Sequence, residues 1–362
     1  QCPLHKLIPN TSISVDAFNL GAISGCTAYF LSHFHSDHYG GLTSAWSHGP
    51  VYCNAITAAL VRTQLKVDAN LVVELPMNSW TTIQHCPNTM VYLFDANHAP
   101  GSAIFVFLIG TDSASDDTLP LVAGHTGDFR ATYQHLQDIE VALSTAPVTD
   151  PSRLCIDWLY LDTTYFSDEY VFPLQEDVLS TIPQLPSDTR VLFVVGTYII
   201  GKERVAESIL TALDAVYGDR SLIYGDDKKC NLLKLLDGHP ITADRLTNNP
   251  HIARVHIVSL VNITAKGMQQ YSKTFGRMFD GIVAFKPTGW TFTQNFSSAK
   301  TATKANASST AMRGDDTAEP FPKVTIFPLP YSEHSSFRDH ALFAAGISRP
   351  IKRVVPTVSM KS

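Results

Sequence analysis

The segment SHFHSDHYGG, residues 32–41, places His33, His35, Asp37 and His38 within six positions, directly after the apolar run TAYFL. In an extended or turning chain, residues two apart point the same way, so His33 and His35 can grip one cation together. Asp37 and His38 then face a neighbouring point, and one short loop can serve two adjacent metal sites. Imidazole nitrogen and carboxylate oxygen suit zinc and its neighbours, and the absence of thiolates from the segment argues against a purely structural zinc. Four donors are too few for two cations. DANHAPG offers His98, GHTGDF offers Asp128 and PYSEHSS offers His334, each where an apolar run meets a turn. Taken singly, any of these three has an ordinary reading as a turn, cap or core residue. The clustered four do not.

The elements that must position these residues are legible in outline. Short β-like runs bounded by turn residues fill the first half: TAYFLSH, VYCN, NTMVYLFDANH, AIFVFLIG, LPLVAGHTGDF and WLYLDTTY. Several end in Asp, His or Asn, which gathers polar groups at strand ends. Beyond Glu169 the pattern becomes strand, amphipathic helix, strand: RVLFVVG, KERVAESILTALDAVYG, SLIYG. That is a βαβ unit with a parallel sheet, and Val205, Ile209, Leu210 and Leu213 make the helix's core face. Residues 296–319, rich in Ser, Thr, Ala and Lys, read as a flexible loop. KVTIFPLPYSEHSSF then resumes as a strand ending in a polar turn.

Bulk composition sets outer limits. The chain has 362 residues, 44% hydrophobic and 17% charged, which is globular. Its length suits two domains, or one large domain with an insertion. No apolar run approaches the roughly 18 residues of a membrane helix. The start, QCPLHKLIPN, carries neither an initiator methionine nor a signal-peptide core, so a fragment of a longer protein is expected. Six scattered cysteines without a CxxC pair suit a reducing, intracellular setting. A net charge of −6 neither advertises nor forbids nucleic acid, because bound cations add positive charge that a side-chain count misses.

HFHSDH, with Asp16 in VDAF, His98 in NHAPG and Asp128 in TGDF, resembles the four motifs of the metallo-β-lactamase fold. LDTTY, GTYIIGKE, FKPTGW and PYSEHSS resemble the β-CASP nucleases, and within them the SNM1/Pso2 DNA cross-link repair nucleases. The likeness runs from PLHKLIPNTSISVDAF to VVPTV. It implies an α/β protein, a metallo-β-lactamase αββα sandwich with an inserted α/β β-CASP domain. The expected layout is 1–166 and 321–362 for the sandwich and 167–320 for the insertion. It implies that His33, His35, His98 and Asp128 hold a first metal. Asp37, His38 and His334 hold a second, with Asp128 bridging and Asp16 orienting the cluster from behind. Zinc is implied, as one or two ions, with magnesium or manganese possible in the second place. Asp162 and His334 match two β-CASP motifs, and Val358 stands where RNA-processing relatives carry histidine. Ala99 and Ile199 depart from the residues common in relatives, and neither removes a ligand.

GTYIIGKE superficially matches the G-x-x-x-x-G-K cradle of nucleotide hydrolases, but Glu203 stands where a Mg²⁺-holding hydroxyl belongs. ATP binding is not expected. Lys202 and Tyr198 remain candidates for a DNA phosphate, with Ser335 and Ser336 beside His334. The serines read equally well as caps of the following helix. Trp290 could stack a base or fill a core. The chemistry implied is hydrolysis of phosphodiesters in DNA, single- or double-stranded, from a 5′-phosphorylated end. Asp37, His38, Asp128, Asp162 and His334 would be the catalytic groups of a monomeric nuclear enzyme of cross-link repair, without ATP or a membrane. A hairpin-opening endonuclease, an RNA-processing ribonuclease and a non-catalytic DNA scaffold are the alternatives.

Overall fold

The computed structural model describes residues 2–110, 119–180, 190–218, 220–236, 241–289 and 323–358. Trp290 and the 296–319 segment lie outside the described residues. The chain divides into two compact units, Gln1–Asp168 with Glu333–Ser362, and Glu169–Ser332.

The first unit opens with four parallel strands, β1 (Ile13–Val15), β2 (Ala28–Phe30), β3 (Val51–Asn54) and β4 (Val72–Leu75), paired in sequence order. A single turn, α1 (Ser36–Tyr39), follows β2, and α2 (Ala55–Leu60) follows β3. Asn54 caps α2 by accepting the Thr57 amide. Next come β5 (Thr81–Thr82), β6 (Thr89–Asp95), β7 (Ala103–Ile109), β8 (Leu121–His125), α3 (Tyr133–Ser144) and β9 (Trp158–Leu161). The period of two divides β6 and β7 between two cores. Val91, Leu93, Phe105 and Phe107 pack with Val15, Phe30 and Tyr52 between the two sheets. Tyr92, Phe94, Ile104, Val106 and Leu108 pack on the other face, with Ile139 and Leu143 of α3. Burial on both faces is why AIFVFLI is an unbroken apolar run rather than an alternating one.

The second unit holds α4 (Gln175–Ser180), β10 (Val191–Thr197), α5 (Glu203–Tyr217), β11 (Ile223–Tyr224), α6 (Asp227–Leu233), β12 (Leu246–Thr247), β13 (Val255–Ser259), α7 (Ala265–Phe275), β14 (Gly281–Pro287) and β15 (Lys323–Leu329). Among the described residues its six strands are all parallel, in the order β12-β11-β13-β10-β14-β15. Val205, Ile209, Leu210 and Leu213 of α5 are buried, as the helical spacing requires.

The chain then re-enters the first unit. α8 (Phe337–Gly346) adds Phe343 to the core shared with α3. β16 (Val354–Pro356) pairs with β9 and completes the sheet β16-β9-β8-β7-β6-β5. Two stacked sheets with helices outside are the α/β sandwich that the motifs imply.

Candidate metal centre

The histidine cluster sits where β2 ends. Asp16, at the end of β1, adopts a left-handed φ of 51° and turns its buried carboxylate under the loop that follows β2. Oδ1 accepts the Ser32 amide at 2.8 Å, and Oδ2 accepts Ser32 Oγ at 2.7 Å and His38 Nδ1 at 2.8 Å. Because the Ser32 hydroxyl proton goes to Asp16, Ser32 Oγ accepts from His33 Nδ1 at 2.9 Å. His98, in the turn after β6, donates Nδ1–H to the Glu333 carbonyl at 2.8 Å. His334 donates Nδ1–H to Asp162 Oδ2 at 2.9 Å. Three imidazoles, those of His33, His98 and His334, thus donate outward, to a hydroxyl, a carbonyl or a carboxylate, and turn Nε2 inward, while the His38 ring lies between the Asp16 and Asp128 carboxylates. This is the arrangement by which metal-binding histidines are oriented.

The inward atoms converge on one carboxylate. Ligand atoms of His33, His35, His98 and Asp128 lie within 4.8 Å of one another, as do those of Asp37, His38 and Asp128, and those of Asp128, Asp162 and His334. Nε2 of His33 and Nε2 of His98 stand 3.0 and 3.1 Å from His35 Nδ1. Asp128 Oδ2 lies 3.1 Å from His38 Nε2, 3.8 Å from His33 Nε2, 3.9 Å from His98 Nε2 and 4.0 Å from His334 Nε2. A tetrahedron with zinc–nitrogen bonds of 2.0–2.1 Å has edges of about 3.3 Å, so this donor set fits a zinc-sized cation. His334 reaches Asp128 in company with Asp162 rather than with Asp37 and His38, while Asp37 is largely exposed.

Backbone close approach makes the convergence possible. Gly127 has a φ of 54°, and a Cβ there would stand 2.8 Å from Ser32 Cβ, so only glycine brings Asp128 this near the loop. Electrostatics follows the geometry. Burial, reinforced by neighbouring histidines, holds His33 and His98 well below the usual imidazole range, in the neutral state that binds metal. Burial opposes the charge on His38 and on Asp128 as well, but each is outweighed by its surroundings. Asp128 and Asp16 raise His38 well above 6.5, and His38 and His334 drive Asp128 well below the carboxylate range. On Asp16, burial pushes upward and His38 pulls further down, leaving it lowered.

The remaining expected site residues are placed as follows. Ser335 and Ser336 are fully buried and their hydrogen bonds are engaged within the fold. Ser335 Oγ donates to the Phe129 carbonyl and accepts the Ala131 amide, while Ser336 forms a capping box with Asp339 at the start of α8. These serines hold the His334 turn rather than offer donors to a phosphate. Asp37 and His38 lie within α1, with Gly40 at its C-terminal end. Tyr198 is about half exposed and Lys202 is buried, both in the second unit. The loop amide of Gly201 already donates to Glu203 Oε2 at 2.7 Å.

Sequence reasoning passed over two residues. Ser32 relays His33 to Asp16, a role concealed by its place inside the histidine motif. Arg130 is buried, with Nε 3.3 Å from Asp339 Oδ2 and Nη1 donating to the His334 carbonyl. An arginine two positions after a candidate ligand is the only signal that could have found it.

Residues 240–362 match the family described as DNA repair metallo-β-lactamase. The chain is 38% identical over 99% of its length to the DNA cross-link repair protein pso2/snm1 of Schizosaccharomyces pombe, and spans 62% of that protein. It is 35% identical over 99% of its length to the DNA cross-link repair protein SNM1 of Arabidopsis thaliana, and spans 66% of it. The 5′ exonuclease Apollo of Danio rerio is 27% identical over 98% of this chain, which covers 52% of that protein. The chain therefore spans somewhat under two thirds of these relatives. Likeness along nearly every residue, on a sandwich whose strand ends gather these histidines and aspartates, gives the assignment: the chain belongs to the SNM1/Pso2 family of DNA cross-link repair proteins, on the metallo-β-lactamase fold.

Proposed function

We propose that the chain is a metal-dependent DNA nuclease that hydrolyses phosphodiester bonds 5′ to 3′ from a 5′-phosphorylated end, acting in interstrand cross-link repair in the nucleus. The observation that carries this is the convergence of imidazole nitrogens on Asp128, each ring held from behind by a hydrogen bond at Nδ1. The names of the relatives, cross-link repair proteins and a 5′ exonuclease, supply the substrate class and polarity.

His33, His35, His98 and Asp128 would hold one cation, read as zinc. Asp37 and His38 would hold a second with Asp128, a place open also to magnesium or manganese, with His334 approaching from the Asp162 side. Bound divalent cations acidify water and draw charge from a phosphoryl oxygen. The protein's own work is orientation. Asp16 fixes the His38 ring and, through Ser32, the His33 ring, so both present Nε2. Asp162 fixes His334 in the same sense and keeps a proton on Nδ1. Once protonated, His334 Nε2 would give a hydrogen bond to the departing sugar oxygen. Lys202 and Tyr198 are read as contacts to DNA, with Lys202 taking a phosphate. Glu203 sits where nucleotide phosphates would need the loop amide, so ATP has no part in this reading.

The test is digestion of end-labelled single strands by the wild type and by Asp37→Ala, with metal content measured on both. A ladder growing from a 5′-phosphorylated end, much slower from a 5′-hydroxyl end and absent in the variant, supports the reading. Equal digestion by both proteins sinks it.

A further inference from the structure

The loop between β10 and α5 is tied shut by a lysine from another helix. Lys229 of α6 donates from Nζ to the Tyr198 carbonyl at 2.9 Å, the Ile199 carbonyl at 2.9 Å and Glu203 Oε1 at 2.6 Å. An ammonium has three protons, and these three acceptors match that number. Glu203, buried to 2% exposure, returns the constraint by accepting the Gly201 amide through Oε2 at 2.7 Å. One ion pair thus fixes residues 198, 199, 201 and 203, on both sides of Lys202.

Lys202 itself is unusual. It adopts a left-handed φ of 71°, a strained conformation for a residue other than glycine. It is 4% exposed, where lysines are seldom found. Its ammonium lies 5.0 Å from the Tyr198 ring centroid and 5.9 Å from that of Tyr331. A solvated first-turn lysine needs neither the strained backbone nor the aromatic walls. Backbone strain of this kind persists only where the surroundings over-determine it, and the Lys229–Glu203 pair supplies that determination.

We infer that Lys229 and Glu203 are positioning residues for DNA binding: their ion pair holds the loop so that Lys202 is presented to a phosphate in a fixed pose. This rests on the reading of Lys202 as a phosphate contact. It also makes a prediction that simple charge counting reverses. Glu203→Gln removes a negative charge, which by electrostatics alone should tighten DNA binding. With the clamp weakened, binding should loosen instead.

The experiment measures binding of the metal-loaded full chain to a fluorescent single strand with phosphorothioate linkages, which resists cleavage, across a salt series. The wild type is compared with Lys202→Met, Glu203→Gln and their double variant. Expected for Glu203→Gln is a roughly tenfold weaker Kd at low salt and a log–log salt slope smaller by about 1, the mark of one lost phosphate contact. Lys202→Met should match it, and the double variant should lose no more than either single one, because both act on one contact. If Glu203→Gln binds as tightly as the wild type or more so while Lys202→Met is impaired, the clamp is wrong and the phosphate contact stands. If Lys202→Met binds as the wild type does, the phosphate contact fails and the clamp falls with it. Lys229→Arg is the second variant: it should retain most of the affinity if it folds when Glu203→Gln does not, and a loss as large as that of Lys202→Met overturns the clamp.

Discussion

Asp162, fully buried just after β9, accepts the Nδ1 hydrogen of His334 at 2.9 Å and so joins two positions 172 residues apart. Its other oxygen takes the amide and the hydroxyl of Thr164, at 2.9 and 2.6 Å. One oxygen is thus held by its own turn, while Oδ2, which also accepts the Phe129 amide at 3.4 Å, aims His334. Asp162→Ala should therefore lower kcat/KM by roughly 10–100-fold, the usual cost of losing a group that orients a metal-site histidine. Adding His334→Ala should bring little further loss, because the two act as one unit. Additive losses in a double-mutant cycle would show that Asp162 does something His334 does not.

Asp16 supports two histidines at once, one directly and one through Ser32. Asp16→Asn keeps the shape but turns an NH₂ toward either His38 or Ser32, where a donor already points. The expected result is zinc affinity lower by about 10–100-fold in competition with a chelator, with the far-ultraviolet circular dichroism unchanged. Unchanged affinity would mean that the histidines hold their orientation without it.

These relationships also show what a linear reading can reach. The cluster His33, His35, Asp37, His38 was legible because the spacing itself carries the chemistry, and α5 because its apolar period is regular. The path from His33 through Ser32 to Asp16 was not, since a serine beside a histidine has no distinctive spacing and the turn of Asp16 depends on a left-handed backbone. Ser335 and Ser336 misled because small hydroxyl residues beside a ligand look alike whether they face a phosphate or cap a helix. Only the Asp339 carboxylate, one turn on, separates the two cases.

His256 gives the second unit a pH dependence. The ring is buried, donates Nε2–H to the Pro250 carbonyl at 3.0 Å and accepts the Tyr271 hydroxyl at Nδ1 at 2.7 Å. Burial pushes it down from 6.5 to about 4, against the pull of its carbonyl partners. Above pH 6.5 the ring is neutral folded or unfolded and contributes no slope. Between 6.5 and 4 the unfolded chain takes up a proton that the folded one refuses, so stability falls by about 3 kcal/mol at pH 4. His256→Gln should remove this component: its urea midpoint should drop less steeply than that of the wild type between pH 6.5 and 4. Parallel curves would show that the buried ring does not resist protonation.

Bound cation should stabilise the first unit by mass action, by RT ln(1 + [M]/Kd), or about 2.7 kcal/mol at a hundredfold excess over Kd. The melting temperature should therefore climb with added zinc in the wild type and stay flat in Asp128→Asn, whose carboxylate is common to all three ligand groupings. An equal rise in both would place the stabilising cation elsewhere.

Gly127 provides the most stringent check on the geometry. Its φ of 54° costs any L-residue about 1–2 kcal/mol, and a Cβ would come within 2.8 Å of Ser32 Cβ and 3.0 Å of Ser32 Oγ. Ser32 cannot yield without breaking its bonds to His33 and to Asp16. Gly127→Ala should thus do two separable things. It should lower stability by a few kcal/mol in urea titration, from strain and crowding together. It should also weaken zinc binding, although the new methyl group touches none of the proposed ligands. Ser32→Ala removes the hydroxyl oxygen at 3.0 Å but keeps the Cβ at 2.8 Å, so combining it with Gly127→Ala should recover only part of the stability while zinc affinity stays low. Recovery of zinc affinity in the double variant would mean that crowding alone was at fault and that the serine relay does not orient His33.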